Sequence, residues 1–153
     1  MSERRVRPLV VDTNVAIKFY LPEDGHDQAV KLLDAAEASA VELSAPGTIF
    51  PEGFNALAQQ QRRGLLDAED GGEAWEKLLA APVYTYKVED LIGRAAQISQ
   101  QTTVIVYDAL FLALAEEAET VVVTADDKLL KALRGTDYAK LARSLTTAGD
   151  LLA

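Results

Sequence analysis

Chemistry in this chain of 153 residues has to rest on carboxylates. There is no cysteine, which removes thiol nucleophiles, zinc–thiolate sites, iron–sulfur clusters and disulfides together. The single histidine, His26, lies in the polar run Pro22-Glu23-Asp24-Gly25-His26-Asp27 and reads as a surface residue. Four acids stand where they could act. Asp12 ends the apolar run Leu9-Val10-Val11, and Asp126 follows the run Val121 to Thr124. Asp108 heads a strongly apolar stretch. Glu52 is the lone charge between Thr48 and Gln61, with no lysine or arginine within four residues. Converging carboxylates raise one another's pKa unless a cation relieves them. Oxygen-only ligands select hard ions, so one or two magnesium or manganese ions are the natural cofactor. Thr13, Asn14, Asn55 and Thr124 flank these acids and could orient them or hold metal-bound waters. Of the adjacent pair Asp126 and Asp127, Asp126 is nearer the strand end and is the preferred site acid.

Each acid also has a structural reading. Asp12, Asp108 and Asp126 could each be an N-cap, because an aspartate satisfies the free amides of a helix start. Glu52 could be a solvated residue that complements a helix dipole. Arg62 and Arg63, and the N-terminal Arg4, Arg5 and Arg7, could hold an RNA backbone, or could be a helix-end charge and a solvated tail. Trp75, Tyr84 and Tyr86 read as core or dimer contacts before base-stacking platforms.

The elements that must position these residues alternate between strand and helix. Strands are predicted at 9–12, 41–45 and 120–124, with 83–86 a third strand or an extended connection and a further strand near Ser144-Leu145-Thr146. Helices are predicted at 13–20, 25–37, 49–63, 68–79, 89–101, 109–117 and 128–133. Thr48 is the expected cap of the third helix and Gly64 its stop. Trp75, Leu78 and Leu79 are expected to face inward, as are Leu91, Ile92, Ala95, Ala96 and Ile98. Alternation of this kind argues for a mostly parallel sheet covered on both faces. Length and the lack of any repeat or linker argue for a single domain over residues 1–153. In such sheets ligands bind just beyond the carboxyl ends of the strands, where Asp12 and Asp126 would meet.

The net charge of −9 argues against broad nonspecific binding to nucleic acid, since phosphate affinity comes mainly from lysine and arginine. It leaves room for a nucleic-acid substrate, because bound cations change the local sign of an acidic site. No stretch is long enough to span a bilayer, and the run behind the basic N-terminus is only a strand's length. A cytoplasmic protein without a membrane partner is therefore expected.

With the acids placed, the chain resembles the PIN-domain family and, within it, the VapC-type toxins of toxin–antitoxin pairs. The matching stretches are Val10-Val11-Asp12-Thr13-Asn14-Val15, the helix with Glu52 and Asn55, Arg63-Gly64-Leu65-Leu66, Tyr107-Asp108 through Ala115, and Val122-Val123-Thr124-Ala125-Asp126-Asp127-Lys128-Leu129. The resemblance implies a three-layer α/β/α fold around four or five mostly parallel strands. It implies a magnesium- or manganese-dependent ribonuclease site made by Asp12, Glu52, Asp108 and Asp126, with Thr124 in support. It further implies an RNA substrate, a homodimer and a VapB-like antitoxin. Pro51-Glu52-Gly53 departs from an ordinary helix start.

Three rivals are set against this reading. A receiver-like phosphotransfer domain needs paired acids after the first strand, and Asp12 has no acidic neighbour. A haloacid-dehalogenase-like phosphatase needs an acid at position 14, which is asparagine. A catalytically silent PIN fold acting only as a binding partner would bind no manganese through these acids.

Overall fold

The computed structural model describes residues 6–153. Its centre is β1 (Arg7–Val11), whose Leu9, Val10 and Val11 are fully buried. A strand covered on both faces needs a continuous apolar run rather than an alternating one. Around it lie β2 (Val41–Pro46), β3 (Val83–Tyr86), β4 (Val122–Thr124) and β5 (Ala142–Ser144), in the order β3-β2-β1-β4-β5. All four pairings are parallel; Val10 is level with Ser44 on one side and Val122 on the other.

The connections are α1 (Thr13–Ala16), α2 (His26–Glu37), α3 (Ile49–Arg62), α4 (Ala68–Leu79), α5 (Val88–Gln101), α6 (Val106–Glu117), α7 (Asp127–Leu133) and a C-terminal α8 (Ala148–Leu151). From β1 the chain steps outward to β2 and β3, then crosses back to β4 and on to β5. Right-handed crossovers therefore place α2 to α4 on one face and α5 to α7 on the other. This is the expected three-layer arrangement with five strands. α6 is apolar all round, with Ala109 through Ala115 buried, as a helix packed between a sheet and another helix must be. It packs on β1, β2 and β4 and is backed by α5. Among the described residues no single helix is long and apolar enough to cross a membrane. α5 and α6 reach that composition only as a pair bent by 115°.

Several local expectations are corrected. The first helix is split: α1 is a single turn, and Ile17–Phe19 continues as a 3-10 turn. Thr48 makes no side-chain cap to α3, and its hydroxyl is buried without a partner. α6 starts at Val106 behind an extended Ile105, so Asp108 lies inside its first turn and is not the cap. Leu79 and Ile92 face outward, and Tyr84 and Tyr86 are exposed on the edge strand rather than in the core. Trp75 is partly buried, edge-to-face with Phe54. The last strand ends at Ser144, where Leu145–Thr147 turns into a 3-10 helix. His26 is tethered through Nδ1 to the Lys18 carbonyl, 2.6 Å away.

Candidate active site

From β1 the chain leaves toward β2; from the adjacent β4 it leaves toward β5. Two neighbouring strands whose continuations diverge open a crevice beyond their carboxyl ends. The Asp12 amide donates to the Val123 carbonyl at 3.0 Å, so the end of β1 is pinned to β4 at this crevice. Asp12 is 5% exposed, an unusual degree of burial for a carboxylate.

Asp12 is held by neutral groups. Its Oδ1 accepts from the Thr13 amide at 2.8 Å, and its Oδ2 from the Thr124 hydroxyl at 2.8 Å. The Asn14 amide nitrogen is 3.4 Å from that same Oδ2. Asn14 in turn accepts from the Ala125 amide at 2.9 Å, and Thr124 Oγ1 from the Asp126 amide at 3.1 Å. Thr124 is fully buried and ties Asp12 to the turn that carries Asp126. Thr13, Asn14 and Thr124 thus all donate toward the Asp12 carboxylate.

The cap and ligand readings of Asp126 turn out to be compatible. Its Oδ1 accepts from the Lys128 and Leu129 amides, at 2.9 and 3.3 Å, and caps α7. One oxygen suffices for the cap, and Asp126 is half-buried while Asp127 is exposed. Glu52 enters from α3. Its Oε2 accepts from the Thr13 hydroxyl at 2.7 Å, whereas its Oε1 is buried near the Thr48 hydroxyl with no well-formed hydrogen bond among the described residues. Thr13 therefore donates to Asp12 from its backbone and to Glu52 from its side chain.

The charges of the four acids act on one another pairwise. Burial pushes the Asp12 carboxyl up to about 7. The Thr124 hydrogen bond opposes that rise, and the charges of Asp108 and Glu52 add to it. Burial likewise raises Glu52, offset in part by the Thr13 hydroxyl, increased by Asp108 and lowered slightly by the nearby Thr48 hydroxyl. Asp108 is raised by burial and then by Asp126. The charges acting on these three groups are one another's and that of Asp126. Among the described residues no three of them are already gathered into a cation cage. An all-oxygen donor set, mutual repulsion and an orphaned buried carboxylate oxygen nevertheless fit a hard divalent cation, which would relieve all three.

Other predicted residues lie farther out. Asn55 is exposed on α3. Arg62 and Arg63 are exposed at the far end of that helix. At a helical rise of about 1.5 Å per residue they stand roughly 15 Å from Glu52. Arg7 donates to the Leu151 carbonyl at 2.9 Å; Arg4 and Arg5 lie outside the described residues. Sequence reading overlooked the bond from Thr13 to Glu52, because nothing local marks a pairing across 39 positions.

Residues 9–134 match the PIN domain family. The chain belongs to that family. The matched span contains all four acids, and it sets aside the receiver-like and phosphatase readings. A Pyrobaculum aerophilum protein named Ribonuclease VapC3 is 32% identical over 125 residues, spanning 79% of this chain and 91% of that one. Its Mycobacterium tuberculosis namesake is 29% identical over 124 residues, spanning 81% of this chain and 86% of the relative. The PIN fold is also seen in solved structures. One crystal structure from P. aerophilum superposes with a TM-score of 0.62 at 21% identity, covering 96% of this chain and 89% of that one. A toxin–antitoxin complex from Klebsiella pneumoniae gives 0.59 at 15% identity, covering 90% and 97%. VapBC2 from Rickettsia felis, bound to a DNA fragment from its promoter, gives 0.56 at 11% identity, covering 90% and 98%.

Proposed function

We propose that this PIN domain is a magnesium- or manganese-dependent endoribonuclease that hydrolyses RNA phosphodiester bonds, and that it is the toxin of a VapBC-type pair. The observation that carries the chemistry is the coupling of Asp12, Glu52, Asp108 and Asp126 at the β1–β4 crevice, with Glu52 Oε1 buried and unpartnered. The substrate class and the antitoxin partner rest on the relatives named Ribonuclease VapC3 and on the toxin–antitoxin structures that share the fold. A homodimer belongs to the same reading, and the exposed Tyr84 and Tyr86 on the edge strand offer it apolar surface.

Asp12, Glu52, Asp108 and Asp126 would hold the ion. When bound, it supplies a water of lowered pKa and neutralises charge that builds on the phosphate and the leaving oxygen. The chain's own residues do the rest. Thr124 and the Thr13 amide fix both oxygens of Asp12, so that carboxylate needs little reordering to serve as a ligand. The Thr13 hydroxyl orients Glu52, and the α7 amides orient Asp126. With no histidine in the site, a proton released from the attacking water passes to a carboxylate or to solvent. Asp12 must give up its own proton before it can bind a cation, so metal uptake should strengthen as pH rises through about 7.

The test is cleavage of RNA by purified protein with manganese, with chelator, and with Asp12→Asn or Asp108→Asn. Cleavage that needs manganese and vanishes in both variants is expected. An Asp12→Asn protein that cuts RNA at the wild-type rate would overturn the proposal, and binding without cleavage would mark a silent PIN fold.

A further inference from the structure

We infer that Gly53 is a positioning residue for Glu52, acting through Leu78 of α4 as a clamp on the first turn of α3. The inference rests on Glu52 being a site acid.

Glu52 has one oxygen tied to Thr13 and one that lies near the Thr48 hydroxyl of the same turn without a well-formed hydrogen bond, so its own hydrogen bonds do not fully define its pose. Its pose depends on where the first turn of α3 sits relative to α1. Gly53, the next residue, faces both neighbours of that turn. A Cβ there would stand 2.4 Å from Leu78 Cδ2 and 3.9 Å from Thr13 Cγ2. Carbon atoms in contact normally sit about 3.5–4.0 Å apart, so Leu78 occupies the space a side chain would need. Leu78 is 3% exposed and belongs to the main core, so it moves only by displacing its packed neighbours. An added methyl group must force a strained rotamer or separate the helices. Either outcome loosens the contact between α3 and α1 that lets Thr13 reach Glu52.

The other end of the same hairpin is a built-in contrast. A Cβ on Gly71 of α4 would stand 2.9 Å from Gln61 Cδ, a similar crowding. Gln61, however, is a partly exposed, flexible side chain that can move aside. It also lies far along α3 from Glu52. Alanine is a better helix former than glycine at both positions. At 53, close approach overrides that preference beside a site acid. The glycine of the unusual Pro51-Glu52-Gly53 helix start is thereby explained.

The experiment compares wild type, Gly53→Ala, Leu78→Val, Gly53→Ala with Leu78→Val, and Gly71→Ala. It reads manganese affinity from the manganese-induced rise in Tm, kcat and KM for RNA cleavage, and metal-free Tm. Loss of a group that orients a metal ligand costs about 10- to 100-fold in affinity or activity. Gly53→Ala should fall in that range in manganese affinity and kcat, with KM for RNA little changed. Leu78→Val, which opens the contact without adding bulk, should weaken manganese binding measurably but by less than the roughly 10-fold loss expected when an orienting group is removed. In the double variant the new methyl fills the space that Leu78 gives up, and both readouts should recover toward wild type. Gly71→Ala should match wild type. A purely structural role predicts the reverse for the double variant, since trimming a core leucine further lowers stability. Wild-type manganese binding and kcat in Gly53→Ala would overturn the clamp, as would a loss that Leu78→Val does not relieve. If Gly53→Ala fails to fold, Leu78→Val still decides, because unchanged manganese affinity there excludes the clamp. A wild-type protein that neither takes up manganese nor cuts RNA would instead overturn the function itself.

Discussion

The two ends of the sheet are built on opposite terms. At the carboxyl end, Asp12 is buried and Glu52 and Asp108 are half-buried, and burial raises the pKa of all three. At the amino end, α2 and α6 turn into β2 and β4 through tight backbone turns, each followed by a buried strand. There the unfavourable feature is only conformational: Ser39 and Glu119 adopt the left-handed region, with φ of 57° and 53°. One end gives up stability in charge, where a ligand could restore it. The other gives it up in backbone geometry, where no ligand is involved. Substitutions at the first end should therefore trade stability against activity, and substitutions at the second should move stability alone.

The largest test of that contrast is Asp12→Asn. Removal of a preorganised electrostatic group costs on the order of 100- to 1000-fold in rate, and the variant should lose at least that in manganese-dependent cleavage. Its metal-free stability should rise, with a defined pH dependence. Between about 3.8 and 7 the unfolded chain has released the Asp12 proton while the folded protein retains it. The folded state then binds more protons, so wild-type stability falls as pH rises through this window and levels off above it. The gain from Asp12→Asn should be small near pH 4 and grow to a few kcal/mol, at most about 4, by pH 8. Thermal melts in chelator from pH 4 to 8 measure it directly. Added manganese should raise the melting temperature of wild type and leave the variant unmoved. A variant no more stable at pH 8 than at pH 4, relative to wild type, would break the comparison at its stronger end.

Thr124→Val comes next. The hydroxyl serves Asp12 and the Asp126 amide at once, and valine is close in shape. Loss of such a supporting group should lower metal affinity or activity by about 10- to 100-fold. The Thr124 bond holds the Asp12 pKa down, so its loss should also shift the rise of metal binding to higher pH. Thr13→Val should do less, because the Thr13 amide still donates to Asp12 and only the bond to Glu52 is lost. Equal losses in the two variants would show that the Glu52 side of the crevice is as tightly organised as the Asp12 side.

The same contrast explains what could be read from the sequence. Asp12, Thr124 and Asp126 were legible because a β-branched run that stops at a polar residue marks a strand end, and parallel strands bring such ends together. Asp108 is legible as a candidate acid, but the sequence sets it at the head of its helix, where a cap is the alternative reading. The apolar run beginning at Ala109 concealed a helix that starts at Val106, where Ile105 is still extended. Thr48 looked like a cap by type, yet its backbone is already helical, so its hydroxyl has no free amide to meet. Leu79 and Ile92 fit a helical stripe at the limit of its width and fall on its outer side. The roles of Thr13 toward Glu52 and of Leu78 toward Gly53 depend on contacts between elements distant in sequence. The signal available was indirect: a proline and a glycine around an acid at a helix start where better helix formers would otherwise be expected.

The smallest effects belong to the amino end. Ser39 follows the last turn of α2, where its amide donates to the Ala36 carbonyl and the Ala40 amide to that of Ala35. Glu119 repeats the arrangement after α6, with Glu116 and Ala115 as acceptors. Such helix ends favour glycine, because a side chain in the left-handed region costs about 1 kcal/mol. Glycine gives back part of that gain by freeing the unfolded chain, which leaves about 0.5 kcal/mol net for Ser39→Gly. Glu119→Gly should gain slightly more, because it also removes a negative charge from the negative end of the α6 dipole. At about 2–4 °C per kcal/mol for a chain of this size, the expected rise in Tm is roughly 1–3 °C. Manganese affinity and RNA cleavage should stay at wild-type values in both variants. A change in either would mean that strain at the amino end of the sheet reaches the acids at the other, and that the two ends are not independent.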